Sequence, residues 1–174
     1  MIKRRSALAS IATGIGAMIT MPAWAKGWKK NHLSNYSFLA EHDEEVLSAI
    51  TDTIIPKTDT PGANELGVPQ FIQKITKDCY EVPAQHALSM GLVTTDAVAF
   101  SEYGNSFVQL NKEQRLAVLK KMSVSEYPDQ KTFYNMIKRA TIDGYMGSEY
   151  AMTNITKFEF APNRYYGCVP VKPT

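Results

Sequence analysis

The stretch PKTDTPGANELGVP, residues 56–69, decides how this chain folds, because it separates two helical patterns. It holds three prolines and two glycines in fourteen residues. Pro56 ends the helix before it, since proline lacks the amide hydrogen that a further turn needs. Pro69 suits the first position of the helix after it. The stretch therefore predicts a stiff corner between two helices.

Inside this corner, Pro61 and Gly62 suit the central positions of a type II turn. The side chains of Asp59 and Thr60 can bond nearby backbone amides in such turns, which requires no ligand. A calcium loop is an alternative, but the D-x-D-x-D-G spacing that it needs is absent. We interpret the stretch as a rigid corner and as a candidate contact with a partner protein.

Apolar periodicity and end signals indicate five helices. His42 or Asp43 is the candidate cap of the first. The third is expected to be interrupted or bent near Gly91 and to end at Gly104, and the fourth begins at a capping box led by Asn111. No stretch alternates as a strand does, so we expect an all-α domain of about five helices. The expected helices span about residues 42–54, 69–79, 83–103, 111–122 and 129–145.

The N-terminus indicates a removable export signal. A moderately apolar run at residues 7–21 is shorter than the roughly twenty residues that a membrane-spanning helix needs. The pair Arg4 and Arg5 favours the twin-arginine route, which carries folded proteins, over an ordinary secretory signal. Ala23 and Ala25 fit the small-x-small cleavage pattern. The expected division is a twin-arginine signal peptide at 1–25, an exposed leader at 26–40, a helical domain at 41–147 and an irregular tail at 148–174.

Size and charge exclude several classes of function. The 174 residues fit one ordinary domain, and the hydrophobic fraction of 44% is that of a globular protein. The formal net charge is +2, but cleavage after Ala25 removes three basic residues and leaves 16 basic and 17 acidic side chains. No basic patch survives that cleavage, so nucleic acid is not an expected partner.

The sequence shows no constellation of residues that catalysis needs. The three histidines, His32, His42 and His86, form no H-E-x-x-H pattern, and no haem, dinucleotide or phosphate-loop motif occurs. Ser148 does not lie in a G-x-S-x-G elbow. We therefore predict no catalytic, cofactor-binding or metal-binding residue on this chain, which indicates a protein that binds a partner.

The C-terminal tail is rich in aromatic residues and proline. Tyr165 and Tyr166 suit a partner surface because stiff aromatic segments lose little entropy on docking, whereas folding back over the chain's own helices is the alternative. Cys168 lies in this tail and Cys79 on a helix face. Three arrangements stay open, namely a covalent link from Cys168 to a partner chain, a Cys79–Cys168 disulfide, and free thiols.

Four blocks of the sequence together resemble a known family, the gluconate 2-dehydrogenase subunit 3 family. The resemblance covers nearly all of the chain after the signal, and its most specific part is IIPKTDTPGA within the first block. The blocks are LSAITDTIIPKTDTPGANELGVPQFI (47–72), GNSFVQLNKEQRLAVLKKM (104–122), FYNMIKRATIDGYMGSEY (133–150) and RYYGCVPV (164–171).

The resemblance implies a small subunit of a membrane-bound dehydrogenase complex in the periplasm. The large subunit of such a complex is of the glucose–methanol–choline type, holds FAD and oxidises a sugar, a sugar acid or a polyol. A multihaem cytochrome c subunit passes electrons to quinone and anchors the complex to the membrane. The small subunit carries no redox centre, and it escorts the large subunit through the twin-arginine export machinery.

The family assigns no catalytic residue that could be carried over, so the candidate residues are those of an interface. Two rival hypotheses stand beside this one: a stand-alone periplasmic all-α enzyme, and a binding protein for a small periplasmic ligand. The candidate interface residues are Asp59, Thr60, Pro61, Gly62, Tyr165, Tyr166 and Cys168.

Overall fold

The computed structural model describes residues 39–159 and residue 161, all of which fall within one compact unit at 36–174. The described residues form helices and no strand, which confirms the prediction of an all-α fold. The elements are α1 (Glu41–Ile54), α2 (Val68–Cys79), α3 (Val82–Tyr103), a 3-10 turn (Phe107–Gln109), α4 (Lys112–Ser123), α5 (Pro128–Met146) and a π-helical turn (Ala151–Ile155).

Backbone conformation sets the helix ends more often than a side-chain cap does. The cap of α1 is Ala40, which makes no side-chain bond, so the expectation that His42 or Asp43 caps this helix is wrong. The capping box at α4 is confirmed, because the Asn111 side chain accepts from the Gln114 N–H at 2.9 Å and the Gln114 side chain accepts from the Asn111 N–H at 3.1 Å. Gly104 ends α3 in the left-handed conformation at φ +70°, as predicted.

Helix α5 is the central element of the bundle. It packs against α2, α3 and α4, and α1 packs against the other four helices. Burial of apolar side chains from all five helices supplies the main favourable term in folding. The largest fully buried apolar side chains are Phe107, Leu47, Ile50, Ile72, Leu88, Leu92, Met122 and Ile137.

Gly91 is a packing site and not a break in α3. The helix runs unbroken from Val82 to Tyr103, so the expected interruption at this glycine is wrong. A Cβ atom at Gly91 would lie 1.9 Å from Cδ2 of Phe133, a buried side chain of α5. The glycine is needed because the aromatic ring lies directly on its backbone, where no other side chain leaves room.

Up to residue 159, the chain beyond α5 contains one short helical stretch, which departs from the irregular chain expected after Gly147. The hydroxyl of Ser148 accepts from the N–H of Ala151 at 3.2 Å and donates to the carbonyl of Tyr145 at 2.6 Å. These two bonds join the end of α5 to the first residue of the π-helical turn. The serine therefore has a structural role at the start of the π-helical turn.

Candidate functional site

The corner at residues 55–67 is fixed to helix α1 by backbone and side-chain bonds. The N–H of Ala63 donates to the carbonyl of Ile55 at 3.0 Å. The hydroxyl of Thr51, fully buried on α1, donates to the side-chain oxygen of Asn64 at 3.0 Å. The amide of Asn64 in turn donates to the carbonyl of Ser48 at 3.1 Å. The predicted corner between two helices is confirmed, and these bonds tie it to α1.

Gly62 serves close packing inside this corner. The residue is buried, and a Cβ atom there would lie 2.8 Å from the backbone nitrogen of Lys57. Positive φ among the glycines of the described residues occurs at Gly67 and Gly104, and not at Gly62. A type II turn needs a positive φ at its third residue, so the predicted turn at Pro61 and Gly62 is wrong. The glycine is required because two backbone segments meet there.

The tip of the corner, residues 57–60, presents four exposed polar side chains. The N–H of Thr58 donates to the carbonyl of Thr60 at 3.1 Å, and the N–H of Thr60 lies 3.5 Å from the hydroxyl of Thr58. The expected side-chain bond to the backbone thus comes from Thr58, and not from Asp59 or Thr60. The tip is a tight backbone loop whose side chains point into solvent.

An ion pair closes the base of the tip. Nζ of Lys57 lies 2.5 Å from a carboxylate oxygen of Glu65, and the other oxygen accepts from the N–H of Gly62 at 3.4 Å. The hydrogen bond from Lys57 holds the pKa of Glu65 below its usual value. Both side chains are largely exposed, so the pair orders the loop more than it stabilises the fold.

Helix α5 supports the corner from the other side. The hydroxyl of Tyr145 donates to the carbonyl of Pro61 at 3.1 Å, across 84 residues of sequence. A Cβ atom on the neighbouring Gly144 would lie 2.7 Å from the ring of Phe71 on α2. The two blocks IIPKTDTPGA and GYMGSEY are therefore in direct contact. Sequence reasoning named both blocks but gave no signal that they meet.

The exposed side chains at the tip of the corner can form hydrogen bonds and ion pairs with a partner molecule. Its tip supplies an ammonium group, two hydroxyl groups and one carboxylate on a rigid backbone. Within residues 39–159 and 161, no three His, Cys, Asp or Glu side chains lie close enough together to hold a metal ion. Among the helices in the same part of the chain, none combines the length and hydropathy that a bilayer-crossing segment needs.

A second polar cluster joins α1, α3 and the 3-10 turn around Asp96. One carboxylate oxygen of Asp96 accepts from the Ser106 hydroxyl and from the Phe107 N–H, each at 2.7 Å. The other lies 3.3 Å from Nε2 of His42. Partial burial raises the pKa of Asp96, but these three hydrogen-bonding partners outweigh it, so the pKa lies below its usual value. The cluster fixes the 3-10 turn to two helices.

We expect Asp96→Asn to lower the free energy of unfolding at pH 7 by about 1 kcal/mol, because hydrogen bonds to a charged acceptor are stronger than those to an amide. Since the pKa of Asp96 is lower in the folded state, its charge stabilises the fold above the unfolded pKa near 3.8, and that contribution is lost as the pH falls through the folded value. Urea unfolding of the two proteins should therefore differ at pH 7, and the difference should shrink as the pH falls below 3.8.

The control for this comparison is Asp59→Asn, an exposed carboxylate with no hydrogen bond to another described residue. It should change the free energy of unfolding by less than about 0.5 kcal/mol. A deficit in Asp96→Asn that stays constant as the pH is lowered from 7 to below 3.8 would show that the charge of Asp96 does not stabilise the fold.

Several predicted residues lie outside the described part of the chain. They are Arg4, Arg5, Ala23, Ala25, Tyr165, Tyr166 and Cys168. Cys79 at the end of α2 is exposed and forms no disulfide with any described residue. Phe158, one of the described aromatic residues of the tail, is 57% exposed. The three arrangements of the two cysteines stay predictions.

Comparison with known proteins gives one match. The family model described as Gluconate 2-dehydrogenase subunit 3 matches residues 41–163. Comparison with curated proteins and with solved structures gave no match. The matched range begins at the first residue of α1 and includes the corner, all five helices and the π-helical turn.

Proposed function

The chain belongs to the gluconate 2-dehydrogenase subunit 3 family, and from this premise we propose that it is the small, non-catalytic subunit of a periplasmic flavin-dependent dehydrogenase. The large subunit, of the glucose–methanol–choline type, holds FAD and oxidises a sugar, a sugar acid or a polyol. The small subunit helps the large one to fold and assemble, and it carries both through the twin-arginine export machinery. The match over residues 41–163 is the observation that carries the proposal.

The geometry of the corner supports a role in binding. Its exposed tip is held by α1 on one side and by Tyr145 on the other, so little entropy is lost when a partner docks on it. We assign contact with the large subunit to Asp59 and Thr60, with Pro61 and Gly62 as the rigid support. Tyr165, Tyr166 and Cys168 are further candidate contacts.

The proposed complex is completed by a multihaem cytochrome c subunit that receives electrons from FAD. Under this proposal the small chain works in the periplasm and reaches the membrane only through the complex. It binds no cofactor of its own, so the identity of the oxidised substrate is decided on the large subunit.

The proposal is tested by removing this chain from the cells that produce it. We expect the flavin subunit to accumulate in the cytoplasm and acceptor-dependent sugar or polyol oxidation to disappear from the periplasm. Restoring the full chain on a plasmid should restore both. The measurement is dehydrogenase activity with an artificial electron acceptor, together with immunoblots of the two fractions.

Two outcomes would contradict the proposal. If periplasmic activity and the location of the flavin subunit are unchanged without the chain, it is not an escort. If the purified chain alone oxidises a substrate or binds a small ligand stoichiometrically, the stand-alone enzyme or the ligand-binding protein is the better description.

A further inference from the structure

The outward face of α3 is apolar and exposed. At 100° per residue, Val82, Met90, Val93, Ala97 and Phe100 fall within an arc of about 80°, on the side opposite the buried Leu88, Leu92 and Ala99. Val82, Met90 and Phe100 are each more than 60% exposed, and Val93 is 51% exposed. We call these five residues the α3 face, and the exposed side chain of His86 falls within the same arc.

His86 is the one titratable side chain of α3 that lies in the arc of the α3 face, and no Asp, Glu, Lys or Arg of this helix lies there. The 22 residues of α3 include two charged side chains, and both point elsewhere. Asp96 bonds the 3-10 turn, and Glu102 forms an ion pair with Lys121 of α4. The outward side of α5 differs, because it carries exposed Lys131, Lys138, Arg139 and Asp143. A helix that is apolar on opposite sides and exposed on one of them is typical of an element that another protein covers.

The size of the α3 face fits the centre of a protein interface. A helix of 22 residues is about 33 Å long, and a strip about 10 Å wide along it offers about 330 Å². A standard interface takes about 800 Å² from each partner, with an apolar centre that is depleted of charge and a polar rim. The face therefore supplies such a centre, and the surrounding surface supplies the rim.

A cavity beside the α3 face provides an anchoring pocket. It has a volume of about 390 Å³ and lies between α3 and the first half of α5. Its lining is apolar at Met90, Met122, Met136 and Phe133, and His86 and Asp129 add polar groups. Methionine side chains adapt to the shape of what they contact, and pockets of this kind accept the aromatic anchors that dominate binding energy.

We propose that the α3 face docks the large flavin-binding subunit, with an apolar or aromatic side chain of that subunit in the methionine-lined cavity. This inference rests on the proposed function, and it names the surface of this chain that the partner covers. A membrane surface is a poorer occupant, because the basic residues that flank membrane-binding helices are absent from α3. The large subunit fits better, since long-lived complexes bury uncharged, apolar surface.

The test is a charge placed at the centre of the face. In cells that produce the flavin subunit, we compare tagged full-length chain, the variant Val93→Asp and the control Ile142→Asp. Ile142 is 41% exposed on α5, so the control adds the same charge at another exposed, β-branched position. We expect Val93→Asp to reduce the co-purified flavin subunit, measured by its FAD, at least about tenfold, and Ile142→Asp to leave it unchanged.

Each outcome decides one question. If the unmodified chain captures no flavin subunit, the proposed function fails. If the unmodified chain captures it and Val93→Asp captures it equally well, or if Ile142→Asp loses it too, the assignment of the α3 face is wrong. If Val93→Asp keeps the flavin subunit but disrupts a dimer of this chain seen by light scattering, a second copy occupies the face instead.

A folding control accompanies this test. Circular dichroism should give Val93→Asp the same melting curve as the unmodified chain, because the residue is exposed. If Val93→Asp does not fold, Phe100→Asp on the same face is used in its place. Unchanged capture of the flavin subunit by a folded Phe100→Asp would overturn the inference in the same way.

Discussion

Replacing Arg4 and Arg5 together by lysine is expected to retain both this chain and the flavin subunit proposed as its partner in the cytoplasm. Lysine keeps the two positive charges but not the planar guanidinium groups, and the two side chains are not interchangeable where such groups are read. The general secretory route tolerates the exchange because it needs only a basic segment before the apolar run. Periplasmic dehydrogenase activity should fall to the level of cells that lack the chain.

The matched control is Lys3→Arg, which alters the same basic segment and leaves the arginine pair intact. It should export both subunits normally. Fractionation, immunoblots and FAD content of the periplasm measure the result. If the flavin subunit still reaches the periplasm with FAD when both arginines are lysine, the escort hypothesis is wrong. N-terminal sequencing of the exported chain tests cleavage after Ala25 in the same samples.

The sequence predicted those parts of the fold that depend on local backbone chemistry. Pro56 lies just beyond α1, Gly104 ends α3 and Asn111 caps α4, because each acts through neighbours within four residues. The five helices lie within two residues of the expected bounds for the same reason. Propensity, capping and apolar spacing all agree in these segments.

Two of the errors concern glycines that lie in close contact with another part of the chain. A glycine in a sequence indicates either an unusual backbone angle or a close approach, and the sequence does not say which. Gly91 lies under Phe133, 42 positions away, and Gly62 lies against the backbone of Lys57. The bond from Tyr145 to Pro61 spans 84 residues, so no local pattern could have revealed it.

The α3 face was missed for a different reason. Apolar residues occur on both sides of this helix, so periodicity predicted a helix without showing which side is buried. Only the positions of α1, α4 and α5 decide that Leu88 faces the core and Met90 the solvent. Which side of α3 is buried therefore depends on how the other helices pack around it.

Phe107→Ala is expected to lower the free energy of unfolding by about 3–5 kcal/mol, because it removes a large, fully buried ring and leaves a cavity. Phe107 starts the 3-10 turn and is the largest fully buried side chain among the described residues. Asp96 accepts a hydrogen bond from the N–H of Phe107, and Arg115 donates one to the carbonyl of Phe107 at 3.2 Å. The backbone therefore cannot move inward to refill the space. Domains of this size are stable by about 5–15 kcal/mol, so the loss is a large share of the total.

The exposed ring of Phe100 gives the matched control, since Phe100→Ala removes the same atoms from a side chain that is 65% exposed. Its free energy of unfolding should change by less than about 0.5 kcal/mol. Urea unfolding of the purified chain measures both, and an unchanged denaturant slope identifies the shift in midpoint as a loss of stability. Equal effects of the two variants would contradict the placement of Phe107 in the core. A stable Phe100→Ala chain that captures less of the flavin subunit would separate the core of this protein from the surface that its partner covers.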